Sequence, residues 1–207
     1  MKNVLELLER TAARLPRQTA FADQQCSYDY QTVVNIAGSV GSALAANGER
    51  NCPVAVLMER GAPCLVTLMG VLYSGNFYVV LDPEMPAERV NKILRTLQPT
   101  ALICDEAHKD DPAGLDYDGK VYSAEALAAG QAQPELLQTV RRRMIDTDPA
   151  YAIFTSGSTG KPERIIKHIA QLDRETRLLA ERFGERLTGC CVVASVVPQH
   201  LYGLTFR

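Results

Sequence analysis

From its first turn the chain spaces apolar residues at a helical period. Val4, Leu5, Leu7, Leu8, Ala12 and Leu15 fall near one side, with Glu6, Glu9, Arg10 and Arg14 largely opposite. That pattern predicts an amphipathic helix over residues 4–15, ended by Pro16. A short apolar piece follows at Ala20–Ala22. The segment from Ser27 starts as a polar turn and becomes periodic through Val33, Ile36, Ala37, Val40, Ala43 and Leu44, with Gly48 after Asn47 as its stop. Gly38, Ser39, Gly41, Ser42 and Ala43 give that helix a low side on which a neighbour can pack closely.

Beyond residue 50 the apolar residues run in short blocks. Val54–Met58 predicts a buried strand, Gly61–Tyr73 a buried helix ending at Ser74-Gly75, and Phe77–Leu81 a second strand closed by Asp82-Pro83. Strand, helix, strand in so short a span is a βαβ unit, which requires parallel pairing. Pro86 opens a helix carrying Val90, Ile93, Leu94 and Leu97, and Ala101–Cys104 supplies a further strand. The expected fold class is therefore α/β, an open, doubly wound, mostly parallel sheet with flanking helices. Asp82, Glu84 and Glu88 are best placed to cap helix starts or to face solvent.

His108–Gly119 is polar and turn-rich and predicts a surface loop, followed by short helices at 124–132 and 134–139. Arg141, Arg142 and Arg143 form the one compact basic run, expected as a solvated turn, with phosphate contact as the alternative. Asp146–Pro149 marks the best internal boundary, dividing the chain into an N-terminal α/β unit, 1–147, and a second segment, 148–207. In that second segment an apolar strand at 151–154 leads into a small-residue loop. A helix from about Lys167 to Phe183 follows, with Gly184 as its stop. Cys190–Val197 is β-branched and apolar, a buried strand whose end bears His200, Tyr202 and Gly203.

Composition narrows the function. Twenty-two basic against 24 acidic residues leave no field to hold nucleic acid or an anionic membrane. The apolar stretch Ala62–Tyr73 falls short of a membrane span, and the charged N-terminus lacks the apolar core of a secretory signal, so a cytoplasmic location is expected. Cys26, Cys52, Cys64, Cys104, Cys190 and Cys191 show no Cys-x-x-Cys pair and fit reduced thiols packed as small hydrophobes. The three histidines are too scattered to suggest a metal site.

The chemistry concentrates at Tyr151–Pro162, YAIFTSGSTGKP. Gly157 and Gly160 permit backbone angles that turn successive N–H groups inward, Thr155, Ser156, Ser158 and Thr159 add hydroxyls, and Lys161 adds a mobile cation. A polyphosphate is the natural guest, and a surface turn is the plainer alternative. The Walker A pattern does not fit, because two residues rather than four separate the glycines and Pro162 follows the lysine.

TSGSTGKP resembles the signature loop of the adenylate-forming superfamily, which includes acyl-CoA and aryl-CoA synthetases and the adenylation domains of nonribosomal peptide synthetases. Ser27-Tyr28, the run from Gly70 to Val90, and TALICDE are similar to the early, structural motifs of amino-acid adenylation domains. The resemblance implies that residues 155–161 hold the β- and γ-phosphates of ATP, with Thr155 approaching Mg²⁺, while a carboxylate attacks the α-phosphorus. It implies CoA or a carrier-protein phosphopantetheine as thiol acceptor. PQHLYG resembles a turn of acyl-CoA synthetases that bears a proline, a histidine and a glycine, implying that His200 orients the carboxylate while Tyr202 and Gly203 shape the acyl pocket. After Pro162 the family's usual Lys-Gly-Val is replaced by Glu163-Arg164-Ile165-Ile166, and from there the chain looks more like acyl-CoA synthetases. Substrate class is left open among fatty, aryl and amino acids. The family's later elements have no room in 207 residues, so the expectation is the incomplete N-terminal part of a large adenylation domain that needs a further C-terminal portion or partner chain. The rival expectation is a nucleotide-binding or interaction module without turnover.

Overall fold

The computed structural model describes residues 4–156 and 162–187. It opens with α1 (Val4–Arg14), then an antiparallel ribbon of β1 (Thr19–Ala22) and β2 (Ser27–Asp29), then α2 (Tyr30–Ala45). The main sheet is built from β3 (Pro53–Leu57), β4 (Phe77–Leu81), β5 (Ala101–Cys104), β6 (Lys120–Ser123), β7 (Pro149–Ser156) and β8 (Pro162–His168). Between them lie α3 (Ala62–Tyr73), α4 (Ala87–Leu97), α5 (Ala124–Ala128) and α6 (Pro134–Arg143), and α7 (Ile169–Leu187) follows β8. The strand order is β6-β5-β3-β4-β7-β8, parallel throughout except for the antiparallel pair β7 and β8.

Because alternate residues of a strand point to opposite faces, each central strand feeds two cores. Val54, Val56, Tyr78, Ala101, Ile103, Tyr151 and Ile153 pack with α1, α2 and α3 on one face. Ala55, Leu57, Phe77, Val79, Leu81, Leu102 and Cys104 meet Val90, Ile93, Leu94 and Leu97 of α4 on the other. Both faces are covered, which is why these strands read as unbroken apolar runs rather than alternating ones.

Helix ends are set by specific side chains. Asp29 accepts from the Thr32 N–H at 2.8 Å and caps α2. The cap of α3 comes from the ribbon: Asp23 Oδ2 accepts from the Ala62 N–H at 2.7 Å, and Oδ1 accepts from Gln25 and Cys26 N–H. The Ala62 bond, then those from Cys26 and Gln25, lower the Asp23 carboxyl to about 2. A Cβ on Gly61 would lie 2.5 Å from that carboxylate oxygen, so the bare backbone there is what admits the cap. α4 stops where Gln98 enters the left-handed region at φ 48° ahead of Pro99.

Several expectations are corrected. Ser27 opens β2 rather than a turn, and Lys120–Ser123 forms edge strand β6, which no local apolar pattern announces. The loop expected from 108 to 119 contains single 3₁₀ turns at Glu106–His108 and Asp111–Gly114, and the helix expected to reach residue 132 ends at Ala128. α6 continues through the arginine run: Arg141 donates to Glu9 at 2.9 Å and lies 5.5 Å over the Tyr73 ring, a packing role rather than a solvated turn. Residues 162–168 are strand, so the following helix begins at Ile169 and not Lys167, and it passes Gly184 to reach Leu187. Cys64 and Cys104 are buried free thiols, as expected, whereas Cys26 and Cys52 are half-exposed.

Candidate functional site

The phosphate-loop candidate is the connection of a β-hairpin. β7 pairs with parallel β4 at Tyr78–Tyr151 on one side and with antiparallel β8 on the other. The last cross-strand partners are Thr155 with Glu163 and Ser156 with Pro162, so the two ends of the 157–161 connection are brought side by side. β7 runs parallel to its neighbour β4, and the connection therefore leaves at the carboxyl edge of the sheet, where open α/β sheets bind ligands. Thr155 and Ser156 are the final two backbone positions of β7. Gly157, Ser158, Thr159, Gly160 and Lys161 lie outside the described residues, as do His200, Tyr202 and Gly203.

Below the connection the hairpin is fixed. Tyr151 is fully buried and stacks on Tyr78 with ring centroids 5.6 Å apart and planes 13° apart. Ala152 and Ile153 are buried on opposite faces, and Phe154 and Ile166 pack on the α4 side. At the foot, the Thr147 carbonyl meets His168 Nδ1 at 2.7 Å, and the Asp146 and Asp148 carbonyls accept from Ala170 and Ile169 N–H at 3.0 Å each. The hairpin and the first turn of α7 thus form one hydrogen-bonded unit.

Asp148 anchors that unit to the rest of the sheet. The residue is 5% exposed, and its carboxylate accepts from Arg50 Nη2 at 2.6 Å, Asn51 Nδ2 at 3.0 Å and Ile145 N–H at 2.9 Å. Burial alone would raise this carboxyl, but the Ile145, Arg50 and Asn51 bonds outweigh it and hold it below its ordinary value near 3.8. Spacing gave no hint of this clamp, because Arg50 and Asp148 are 98 positions apart. Asp148→Asn is expected to cost about 2 kcal/mol, less than breaking a fully buried pair because Arg50 keeps some contact with water. A carboxyl lowered by folding stabilises above its unfolded value and loses that contribution as pH falls through the folded one. Urea denaturation below about pH 4 should therefore show a shallower acid loss in Asp148→Asn than in the wild type.

Among the described residues no group of three or more His, Cys, Asp or Glu could hold a metal ion, and no helix is long and apolar enough to cross a membrane. Arg142 and Arg143 are exposed at the end of α6.

Residues 8–200 match the family described as AMP-binding enzyme. The chain is 32% identical over 170 residues to pyochelin synthetase PchF of Pseudomonas aeruginosa, covering 82% of this chain and 9% of that protein. It is 28% identical over 195 residues to bacitracin synthase 1 of Bacillus licheniformis, covering 93% and 4% respectively. It thus spans less than a tenth of these curated relatives. Among solved structures it is similar to the nonribosomal peptide synthetase FmoA3 in its α-methyl-L-serine-AMP-bound form, with TM-score 0.75 and 21% identity over 88% of this chain and 20% of that one. It is also similar to VinN, with TM-score 0.77 and 20% identity over 99% of this chain and 55% of that one. These likenesses show that the chain has the fold of part of those longer structures.

Proposed function

This chain belongs to the AMP-binding enzyme family, and from that premise we propose that it contributes the triphosphate-gripping part of an ATP-dependent ligase that activates a carboxylic acid. The observation that carries the proposal is the hairpin. β7 and β8 pair up to Ser156 and Pro162 at the carboxyl edge of the sheet, and the sequence that joins them is the glycine- and hydroxyl-rich run 157–161.

In the proposed reaction a carboxylate oxygen attacks the α-phosphorus of ATP, the bond from that phosphorus to the bridging oxygen breaks, and pyrophosphate departs, leaving an acyl-adenylate. Residues 155–161 hold the β- and γ-phosphates through backbone N–H groups, hydroxyls and the Lys161 ammonium. Charge developing on the leaving pyrophosphate is spread over those donors, and fixing the two anions together removes much of the entropic barrier. Mg²⁺ bound with ATP would neutralise phosphate charge. Thr155 would be its ligand, because a hydroxyl oxygen suits a hard cation and the residue is the last but one of the strand. His200 is assigned to the carboxylate, with Tyr202 and Gly203 at the acyl pocket. The acceptor is a thiol of CoA or of a carrier-protein phosphopantetheine, and the latter fits the large synthetases among the relatives. The acid is fatty, aryl or amino.

Calorimetric titration with Mg·ATP, paired with hydroxylamine trapping over a panel of acids, tests the proposal on the complete ligase of which this chain is part. Saturable binding with acid-dependent hydroxamate is the expected result. Binding without hydroxamate would demote the chain to a nucleotide-binding module, and no heat at millimolar ATP would exclude nucleotide recognition altogether.

A further inference from the structure

A second crevice lies at the carboxyl ends of the strands, away from the hairpin. β3 and β4 are parallel neighbours, yet β3 leads into α3 on one face and β4 into α4 on the other. Adjacent strands whose connections part in this way open a gap beyond their ends. A cleft of about 260 Å³ occupies it, bordered by Leu57, Asp82, Met85, Val90, Asp111 and Leu115. Asp111 and Leu115 belong to the connection between β5 and β6, which contains only the two 3₁₀ turns.

One imidazole ties the start of that connection down. His108 Nδ1 lies 2.6 Å from Asp105 Oδ1, and Nε2 lies 3.6 Å from Glu59 Oε1. Asp105 is 9% exposed; its Oδ2 accepts from the Glu59 N–H at 2.6 Å and its Oδ1 from the His108 N–H at 3.1 Å. Three carboxylates bear on the ring: Asp105 at the end of β5, Glu59 after β3, and Asp111 from the second 3₁₀ turn. Lys109, its chain neighbour, is engaged by Glu106. The Cys104 thiol, at the end of β5, is pushed up to about 12 by burial and by the Asp105 and Asp111 charges, so it stays neutral.

We propose that His108 is a pH-operated latch on this cleft. As imidazolium it bridges Asp105 and Glu59, joining the end of β5 to the segment after β3 and holding the 105–119 connection in place. As neutral imidazole it keeps its Nδ1–H bond to Asp105 but has no proton at Nε2 for Glu59, and the cleft wall loosens. Burial opposes the charged form, but the Asp105 bond and the charges of Asp105, Asp111 and Glu59 prevail, so the group titrates above 6.5. A basic group raised by folding stabilises fully below its unfolded value and loses that contribution as pH rises through the folded one. The latch is therefore closed in mild acid and opens on the alkaline side of 6.5.

The latch is independent of nucleotide binding, and its test needs no ligand. Hydrogen exchange of the full chain from about pH 6 to about pH 9, corrected for the intrinsic rate, should show residues 105–119 exchanging about threefold to tenfold faster once His108 is neutral, with β3 and β4 unchanged. The His108 midpoint, followed by NMR of labelled histidine, should lie above 6.5. Glu59 is 71% exposed, so Glu59→Gln should fold normally and move both the midpoint and the exchange transition to lower pH. A midpoint at or below 6.5, or exchange in 105–119 that follows the intrinsic rate across the range, overturns the latch.

Discussion

Replacing Lys161 with Ala should lower acid-dependent ATP–pyrophosphate exchange about 100-fold or more, the loss that follows removal of one strong donor from a site of developing charge. The effect should fall mainly on kcat. The ammonium meets ATP in the ground state, but its pull grows as negative charge gathers on the departing pyrophosphate. Adding Gly157→Ala should deepen the loss, because a Cβ restricts the backbone angles that turn the N–H groups toward phosphate. Arg142→Ala is the matched control for net charge: Arg142 is exposed at the end of α6, and its removal should leave exchange within about twofold of the wild type. Exchange surviving in the Lys161→Ala/Gly157→Ala double variant would remove the loop from the reaction.

How much of this architecture could be anticipated depended on whether an element's signal was local. β3, β4 and β5 are buried on both faces, so their apolar blocks stood out without any partner. β6 and β8 sit at the two edges of the sheet and are strands because of what they pair with. Lys120-Val-Tyr-Ser has Val121 46% exposed and no apolar run, and β8 carries Glu163, Arg164 and Lys167 among its seven residues. Their pairing energy comes from ladders to β5 and β7, which periodicity does not register. The arginine run misled for the converse reason. A charge cluster suggests a turn, but three arginines in the last turn of α6 also complement the helix dipole, and Arg141 finds Glu9 and Tyr73 more than 60 positions away.

The candidate site divides along the same line. Its proposed chemistry was suggested by the sequence alone, because small residues, glycines and a lysine in one short run suit an anion. Its support was not. The Asp148 clamp and the Tyr78–Tyr151 stack join residues distant in sequence, and neither an aspartate before Pro149 nor a tyrosine in an apolar run signals a partner. A loop that grips anions gains from such a base, since rigid donors need no reorganisation when charge develops.

Two glycines set how closely α2 and α3 approach each other. At Gly70 in α3, a Cβ would lie 2.5 Å from Val40 Cβ and 3.2 Å from the Ala37 carbonyl; at Gly41 in α2 it would lie 2.5 Å from Tyr73 Cβ and 3.1 Å from the Gly70 carbonyl. Each helix thus places a glycine against the other's shoulder. The obstructing atoms are backbone or Cβ, which cannot swing away, so the helices must separate. Ala gains about 1 kcal/mol of helix propensity over Gly, whereas overpacking a buried contact costs about 1–3 kcal/mol and more when backbone must move. Gly70→Ala should therefore lose about 2 kcal/mol net, lowering Tm by about 4–8 °C in a chain of this size. Calorimetric melting of Gly70→Ala beside the wild type decides the matter: a neutral or stabilising Gly70→Ala would mean that α2 and α3 do not approach this closely in solution.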